Sequence, residues 1–173
     1  MSQPLFVIEA LAPNHDRSSF TCGVEPLDRY LRQQATQDMR RRIANCFVLI
    51  EKATGTVAGY YTLSGTSLFL TDLPHALAKR LPRYPLVPAA LLGRLAIATA
   101  YQSRHLGASL LADAAERASR ADLAVFAVVA APKDDRARRF YVKYGFTELP
   151  GAQSRLFVPI DAILQFFEAQ NKS

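Results

Sequence analysis

Two short segments carry the residue types best able to do chemistry. Tyr141 lies in an aromatic segment that ends near Gly145, and a phenol with an ordinary pKa of about 10 can donate a proton to a leaving group. The other segment runs from Gln102 to Gly107 and opens a predicted helix, whose unpaired N–H groups and positive end favour an anion such as a pyrophosphate. Arg104 adds a cation there.

A strand-helix-strand unit should position both segments. The apolar pattern predicts a strand over residues 89–98, a helix over 104–121 and a buried strand over 124–131. A short helix over 134–144 follows, with acidic residues in its first turn and Gly145 where a left-handed cap is usual.

The amino-terminal part predicts a strand over residues 5–10 and a helix over 25–42. Leu27, Leu31, Ala35 and Met39 recur every four residues along this helix and should face a core. The arginines at 40–42 fall in its last turn, where cations also favour the negative end of the helix dipole.

The remaining elements are shorter. Residues 45–51 and 56–65 read as an antiparallel hairpin closed by the Gly-containing connection 53–55. Two prolines make residues 81–85 an extended loop. Strands over 146–149 and 154–160 precede a final helix over 161–168, with Asp161 as a possible N-cap.

Composition sets the broad class. The chain has 173 residues, half of them hydrophobic, which suits one domain over residues 1–173. Its apolar stretches are too short to span a bilayer and residues 1–4 lack a signal-peptide pattern, so we expect a cytoplasmic protein that does not enter the membrane. Cys22 and Cys46 lack any metal-site context and should be buried thiols. The net charge of +6 fits a polyanionic partner or a merely solvated basic surface.

These segments resemble GNAT N-acetyltransferases. That family carries a Q/R-x-x-G-x-G/A signature after its fourth strand, and this chain has Gln102, His105 and Gly107 at the defined positions, so His105 replaces the first glycine. Residues 140–146 match the family's F-Y-x-x-x-G-F segment. The resemblance implies an α/β (α+β) chain with a single GNAT fold, a mixed and mostly antiparallel sheet flanked by helices.

The resemblance also implies acetyl-coenzyme A as cosubstrate, with no metal. It places Tyr141 beside the sulfur as the general acid, although the helix face that Tyr141 shares with Phe140 and Tyr144 is also typical of core aromatics. The strand at 95–97 should pair through its backbone with the pantetheine arm. The expected cofactor-binding residues are Leu95, Ala96, Ile97, Gln102, Ser103, Arg104, His105, Leu106, Gly107, Ala108 and Phe140.

A narrower resemblance covers nearly the whole chain. Residues 20–31, 37–38, 59–63, 81–85 and 91–96 are similar to the toxins of bacterial toxin-antitoxin pairs that acetylate the aminoacyl group of charged transfer RNA. It implies aminoacyl-tRNA as substrate, a ribbon-helix-helix antitoxin as partner with operator DNA bound through it, and a homodimer. Arg83 and Arg94, with the arginines at 40–42, are candidates to contact RNA phosphates.

Two rival functions remain open at this stage. A GNAT enzyme acting on a small amine or a protein N-terminus would share the cofactor site and differ in its acceptor surface. A catalytically inactive acetyl-CoA-binding sensor is the other, favoured by His105 and opposed by the retained Tyr141. No residue stands out as a general base, and an amine that is already neutral near pH 7 needs none.

Overall fold

The computed structural model describes residues 4–172, except for the side chain of Gln153. The start of the chain, on which the expectation about a signal peptide rests, lies mostly outside these residues. The described chain forms seven strands: β1 (Phe6–Ala10), β2 (Asn45–Glu51), β3 (Val57–Phe69), β4 (Leu86–Ile97), β5 (Ala127–Ala130), β6 (Thr147–Leu149) and β7 (Ala152–Pro159). Its α-helices are α1 (Glu25–Arg29), α2 (Ala35–Arg40), α3 (His75–Ala78), α4 (Leu106–Ser119), α5 (Asp135–Lys143) and α6 (Ile160–Asn171).

The strands form one sheet in the order β1-β2-β3-β4-β5-β7-β6. The pairs β1–β2, β2–β3, β5–β7 and β6–β7 are antiparallel, whereas β4 and β5 are parallel. The parallel pair requires a crossover, and α4 supplies it. The expected α/β class with a mixed, mostly antiparallel sheet is confirmed.

The chain divides into two compact units, and the division passes through β3, β4 and α4. The first unit contains residues 1–64 and 93–114. Its core is built on the predicted helix stripe, in which Leu31 and Ala35 are fully buried and Leu27 and Met39 pack partly against them. These side chains join Tyr60 and Val48 of the hairpin strands.

The second unit contains residues 65–92 and 115–173. The four residues of β5 are completely buried, which explains their continuous apolar run, and Ala127 and Val129 share a core cluster with Leu149 and Phe157. Helix α5 begins after Asp134, whose carboxylate accepts a hydrogen bond from the Ala137 N–H at 2.8 Å. Gly145 follows the helix with a φ of +95°, so it forms the left-handed cap that the sequence predicted.

Several predicted boundaries were wrong. The helix expected over 25–42 ends at Arg40 and contains a π-helical turn, Tyr30–Gln34, while Arg42 lies beyond it with φ +58°. The loop expected over 81–85 lies between α3, a helix that the sequence did not predict, and β4, which begins at Leu86 and not at residue 89. The helix expected from 104 starts at Leu106, and the strand expected over 124–131 is shorter, since Ala124 is exposed. Asp161 is not the N-cap of α6, because the helix starts at Ile160 directly after Pro159.

Candidate active site

One part of β4 is available for pairing with an extended ligand. The register of β4 with β5 covers Ala89 to Leu92 in the described chain, and β4 continues for five residues to Ile97. Its other side stays attached to the sheet, since the N–H of Ala98 donates to the carbonyl of Ala58 at 2.8 Å. A strand edge of this kind can pair with an added extended chain. Residues 95–97 belong to the part of β4 that extends beyond this register.

A close approach inside the first unit holds this strand. A Cβ atom on Gly59 would lie 2.8 Å from the Ala96 carbonyl oxygen and 2.8 Å from Cδ1 of Ile97. Only a residue without a side chain lets β3 pass so near to this part of β4. Gly59 thus fixes where the carbonyl of Ala96 lies.

The loop after β4 is organised by Gln102. Its Nε2 donates to the carbonyl oxygens of Cys22 at 3.0 Å and Ile97 at 2.9 Å. The side chain therefore ties the loop both to the end of β4 and to the carbonyl of Cys22. Ser103 and His105 follow in left-handed conformations, with φ of 66° and 60°.

A left-handed residue next to a right-handed one can form a concave nest of N–H groups that favours an anion, and this loop contains two left-handed residues. His105 is exposed, and its backbone has the φ that glycine adopts without steric cost. Leu106, Gly107 and Ala108 open α4, so its unpaired N–H groups follow directly.

Arg104 adds positive charge to this loop. Its guanidinium carbon lies 5.3 Å from the ring centroid of Phe6 and 5.7 Å from that of Tyr101. The two aromatic rings contact each other edge to face at 6.0 Å. Arg104 is exposed, so its donors stay accessible to a phosphate while the rings limit where the side chain goes.

Tyr141 lies on α5, in the second unit. Its ring packs between Phe140 and Phe146, with centroid distances of 5.2 and 5.1 Å, and the residue is 7% exposed. Burial raises the pKa of Tyr141 well above its ordinary value, so the phenol keeps its proton at neutral pH. A general acid must hold its proton until the leaving group departs.

The hydroxyl of Tyr141 has no hydrogen-bond partner among the described residues. Within the same residues, no fully buried polar side-chain atom lacks a partner, so this oxygen must retain contact with solvent. A buried ring with an accessible phenol is the arrangement that a proton donor needs. Phe140, half-buried, contacts Tyr141 and Tyr144 and helps to fix the ring.

A cluster around Arg94, in the first unit, was not predicted from the sequence. The guanidinium carbon of Arg94 lies 3.6 Å from the ring centroid of Tyr30, and the Tyr30 hydroxyl donates to Asp38 at 2.8 Å. Gln34 also donates to Asp38, at 2.9 Å, and this bond first, then Tyr30 and Arg94, hold the pKa of Asp38 below its ordinary value. The spacing of 30, 34 and 38 on one helix face was the available signal.

The other predicted residues are spread over the surface. Arg83 and the arginines at 40–42 are exposed. Cys22 and Cys46 are free, buried thiols, as expected, and burial raises their pKa values to about 11 and about 12. The described residues contain no group of three or more side chains able to hold a metal ion. None of the helices in that same part of the chain is long and apolar enough to cross a membrane.

Comparison with known proteins decides the family. Residues 12–146 match the acetyltransferase (GNAT) family. The chain belongs to that family. The activity class expected from the sequence, an acetyl-CoA-dependent N-acetyltransferase, is thereby confirmed. The GNAT chain is 31% identical over 167 residues to a protein of Sinorhizobium fredii named "Probable toxin TacT", covering 91% of this chain and 92% of the relative.

A second relative, from Mycobacterium tuberculosis, is named "tRNA-acetylating toxin" and is 35% identical over 137 residues, which cover 78% of this chain and 80% of that protein. Among solved structures, AtaT complexed with acetyl-methionyl-tRNAfMet superimposes with a TM-score of 0.86 at 31% identity, covering 94% of this chain and 99% of that one. A tyrosine-to-phenylalanine mutant of AtaT bound to the C-terminus of the antitoxin AtaR and acetyl-CoA gives 0.77 at 26% identity, covering 95% and 99%. The KacTA–DNA complex gives 0.74 at 26% identity, with the same coverage.

Proposed function

We propose that this GNAT protein transfers the acetyl group of acetyl-CoA to the α-amino group of aminoacyl-tRNA and thereby blocks translation. The observation that carries the proposal is the similarity, along almost the whole chain, to a toxin solved with an acetylated aminoacyl-tRNA. The basic charge of +6 suits a polyanionic substrate. An acetyltransferase for small amines gains no comparable support from this chain.

The reaction begins with attack of the neutral amine on the thioester carbonyl carbon. A carbon–nitrogen bond forms, the carbonyl oxygen becomes an oxyanion, and collapse of this intermediate breaks the carbon–sulfur bond. Tyr141 donates its phenolic proton to the departing thiolate, while the nitrogen loses its proton to water. The phenol is reprotonated from solvent, to which its oxygen has access.

The α-amine of an aminoacyl ester makes a dedicated base unnecessary. An α-amino group has an ordinary pKa of about 7.7–8.0, well below that of a lysine side chain, and an ester neighbour lowers it further. A substantial fraction is therefore unprotonated at neutral pH. This fits a chain in which no candidate base was found.

The cosubstrate would be held chiefly by backbone groups. We propose that the edge of β4 at Leu95, Ala96 and Ile97 pairs with the pantetheine arm, and that the loop from Gln102 to the start of α4 binds the pyrophosphate. In this arrangement Arg104 supplies the nearby cation, and the left-handed Ser103 and His105 turn their N–H groups toward the anion. Gly107 and Ala108 keep the first turn of α4 free of bulk.

Arg83 and Arg94 are proposed to contact the RNA. Stacking over Tyr30 limits the rotamers of Arg94. The planar guanidinium is therefore already oriented when it binds a phosphate. Arg83 is exposed on a loop, and the arginines at 40–42 are exposed at the end of α2 and directly after it. Phosphate contacts of this kind provide affinity and register without reading sequence.

We further propose that both compact units form one acetyltransferase domain over residues 1–173, that the protein acts in the cytoplasm, and that it forms a homodimer. A ribbon-helix-helix antitoxin is the proposed partner, with operator DNA bound through it. Structures of AtaT with the antitoxin AtaR and of KacTA with DNA support the antitoxin and DNA partners.

The proposal is tested by incubating the protein with labelled acetyl-CoA and total charged tRNA. Label should appear on the aminoacyl group, be released with the amino acid by mild base, and fall steeply as salt rises from 50 to 200 mM. Label found instead on free amines or ribosomal proteins, and never on aminoacyl-tRNA, would remove the toxin assignment and leave the acetyltransferase intact. A flat salt response would point to a small acceptor.

A further inference from the structure

Three large apolar side chains of the second unit lie unusually exposed near one end of β3 and β4. Tyr84 is 70% exposed, Phe69 is 57% exposed and Leu86 is 50% exposed. Together they form what we call the aromatic patch. Scattered exposed apolar residues are ordinary, whereas a group of them on one surface often marks a binding site.

Backbone pairing places Phe69 and Leu86 together, and Tyr84 comes two residues before Leu86 in the chain. The N–H of Leu70 donates to the carbonyl of Pro85 at 3.0 Å. One residue further along this antiparallel register, Phe69 lies opposite Leu86, and the next pair, Leu68 and Val87, falls on the opposite face. The burial agrees, because Leu68 and Val87 belong to the core of this unit while Phe69 and Leu86 are exposed.

The loop that presents Tyr84 is stiff. Pro82 and Pro85 flank Arg83 and Tyr84, and each proline fixes its own φ and restricts the residue before it. Ordering a ligand against such a loop costs less conformational entropy than ordering a flexible one. Arg83 and Tyr84 are thus presented side by side, both exposed.

Basic residues lie between the members of the patch in the sequence. Lys79, Arg80 and Arg83 are exposed, and none of them forms an ion pair with another described residue. Asp72 is the single acidic residue between 65 and 92. A ligand for this surface must therefore combine negative charge with flat apolar faces.

We propose that the aromatic patch binds an unpaired segment of RNA, with Tyr84 and Phe69 stacking on bases and Arg83 contacting a phosphate. The inference rests on the proposed function, since the aminoacyl end of a tRNA is unpaired. Duplex RNA hides its base faces, whereas single strands offer them to aromatic side chains. A second copy of this chain would bring like charges together and fits the patch less well.

The test measures binding of the full-length protein to a labelled, unstructured 12-nucleotide RNA and to the same strand in a duplex, by fluorescence anisotropy. Tyr84→Ala and Phe69→Ala should each weaken binding to the single strand about tenfold, with an unchanged salt slope, because stacking is not electrostatic. Tyr84→Phe should bind as the wild type does. Arg83→Ala should weaken binding and reduce the salt slope by about 0.7.

Leu123→Ala is the matched control, since Leu123 is an apolar residue of the same unit, 82% exposed and outside the patch. The proposal is overturned if the wild-type protein does not prefer the single strand, or if the two aromatic variants bind it as Leu123→Ala does. It is also overturned if Tyr84→Ala and Phe69→Ala leave RNA binding unchanged and alter only the oligomeric mass of the protein in solution or its affinity for an acidic peptide. Failure of the proposed function is separate: aminoacyl-tRNA would stay unlabelled while Tyr84 still contributed to RNA binding.

Discussion

Gly59→Ala gives a sharp test of how the sheet fixes the proposed cofactor strand. The added Cβ would lie 2.8 Å from the carbonyl oxygen of Ala96, about 0.6 Å inside the 3.4 Å at which ordinary contact begins. It would also lie 2.8 Å from Cδ1 of Ile97 and 3.3 Å from Cδ1 of Leu110. Those two side-chain ends can rotate away. The carbonyl of Ala96 is backbone and moves only if β4 moves.

The expected cost follows from that distinction. Inserting one methyl group where backbone must shift destabilises a packed core by about 1–3 kcal/mol. In addition, a displacement of about half an ångström would weaken the hydrogen bond that we propose between this carbonyl and the pantetheine arm. Loss of one such bond costs about 1 kcal/mol, so the KM for acetyl-CoA should rise about five- to tenfold. Gly59→Ala should therefore lower both stability and cofactor affinity.

Gly65→Ala is the matched control on the same strand. A Cβ at Gly65 meets nothing within 4 Å, and its φ is not in the left-handed region. Urea unfolding should show Gly65→Ala gaining about 0.5–1 kcal/mol, since alanine loses less chain entropy than glycine. Steady-state kinetics should show its KM for acetyl-CoA unchanged. Equal urea midpoints and equal KM values for both variants would refute the close-approach argument.

Three further outcomes are expected. Tyr141→Phe should keep its fold by circular dichroism and lose turnover about a hundredfold or more, because only the proton-donating oxygen is removed; near-normal turnover would exclude the general acid role. His105→Gly should raise the free energy of unfolding by about 0.5–1 kcal/mol, because a left-handed φ costs an L-residue about 1–2 kcal/mol, whereas glycine avoids this cost but loses more chain entropy on folding. Urea midpoints measure the change. A loss of stability would show that the φ of +60° at His105 is not strained. The buried thiol of Cys46 has its pKa raised from 9.0 to about 12, so its stabilising effect is complete below pH 9 and is lost as pH rises toward 12. Unfolding free energy should fall by about 1.4 kcal/mol per pH unit from this group, and Cys46→Ala under reducing conditions should decline less steeply; equal slopes would contradict the assignment.

Local signals account for the elements that the sequence predicted well. Helix α5 was delimited closely because both of its ends are marked by residues that act alone: Asp134 caps the first turn and Gly145 takes the left-handed position after the last. The stripe of 25–42 was equally readable, because burial on one side of a helix repeats every turn. These features depend on neighbours within a few residues.

Elements that depend on distant contacts were missed. Helix α3 has four residues, too few to form without packing, and Leu77 and Ala78 rest partly buried against the core of the second unit. No capping residue or proline in the sequence indicates the π-helical turn. Its first residue, Tyr30, contacts Arg94, which is distant in the sequence. In the candidate site, the motif identified the loop and the tyrosine. It could not show that Gln102 is committed to two backbone carbonyls.

The replacement of a motif glycine by His105 follows a physical rule that the loop itself displays. The chain at this position has φ +60°, the conformation that explains why glycine suits the motif. A second left-handed residue, Ser103, lies two positions earlier, so the loop maintains a costly backbone twice within three residues. Such strain persists only where the surroundings enforce it, and Gln102 supplies the enforcement by fastening the loop to β4 and to Cys22. The hydrogen bonds of Gln102 therefore hold His105 in the left-handed conformation that a glycine would adopt without steric cost. Gln102→Ala would release the loop and should weaken acetyl-CoA binding more than His105→Ala does, because His105→Ala removes an exposed ring and leaves the backbone fastened. Calorimetry measures both affinities. A larger loss of affinity in His105→Ala would place the ring of His105 in the binding site.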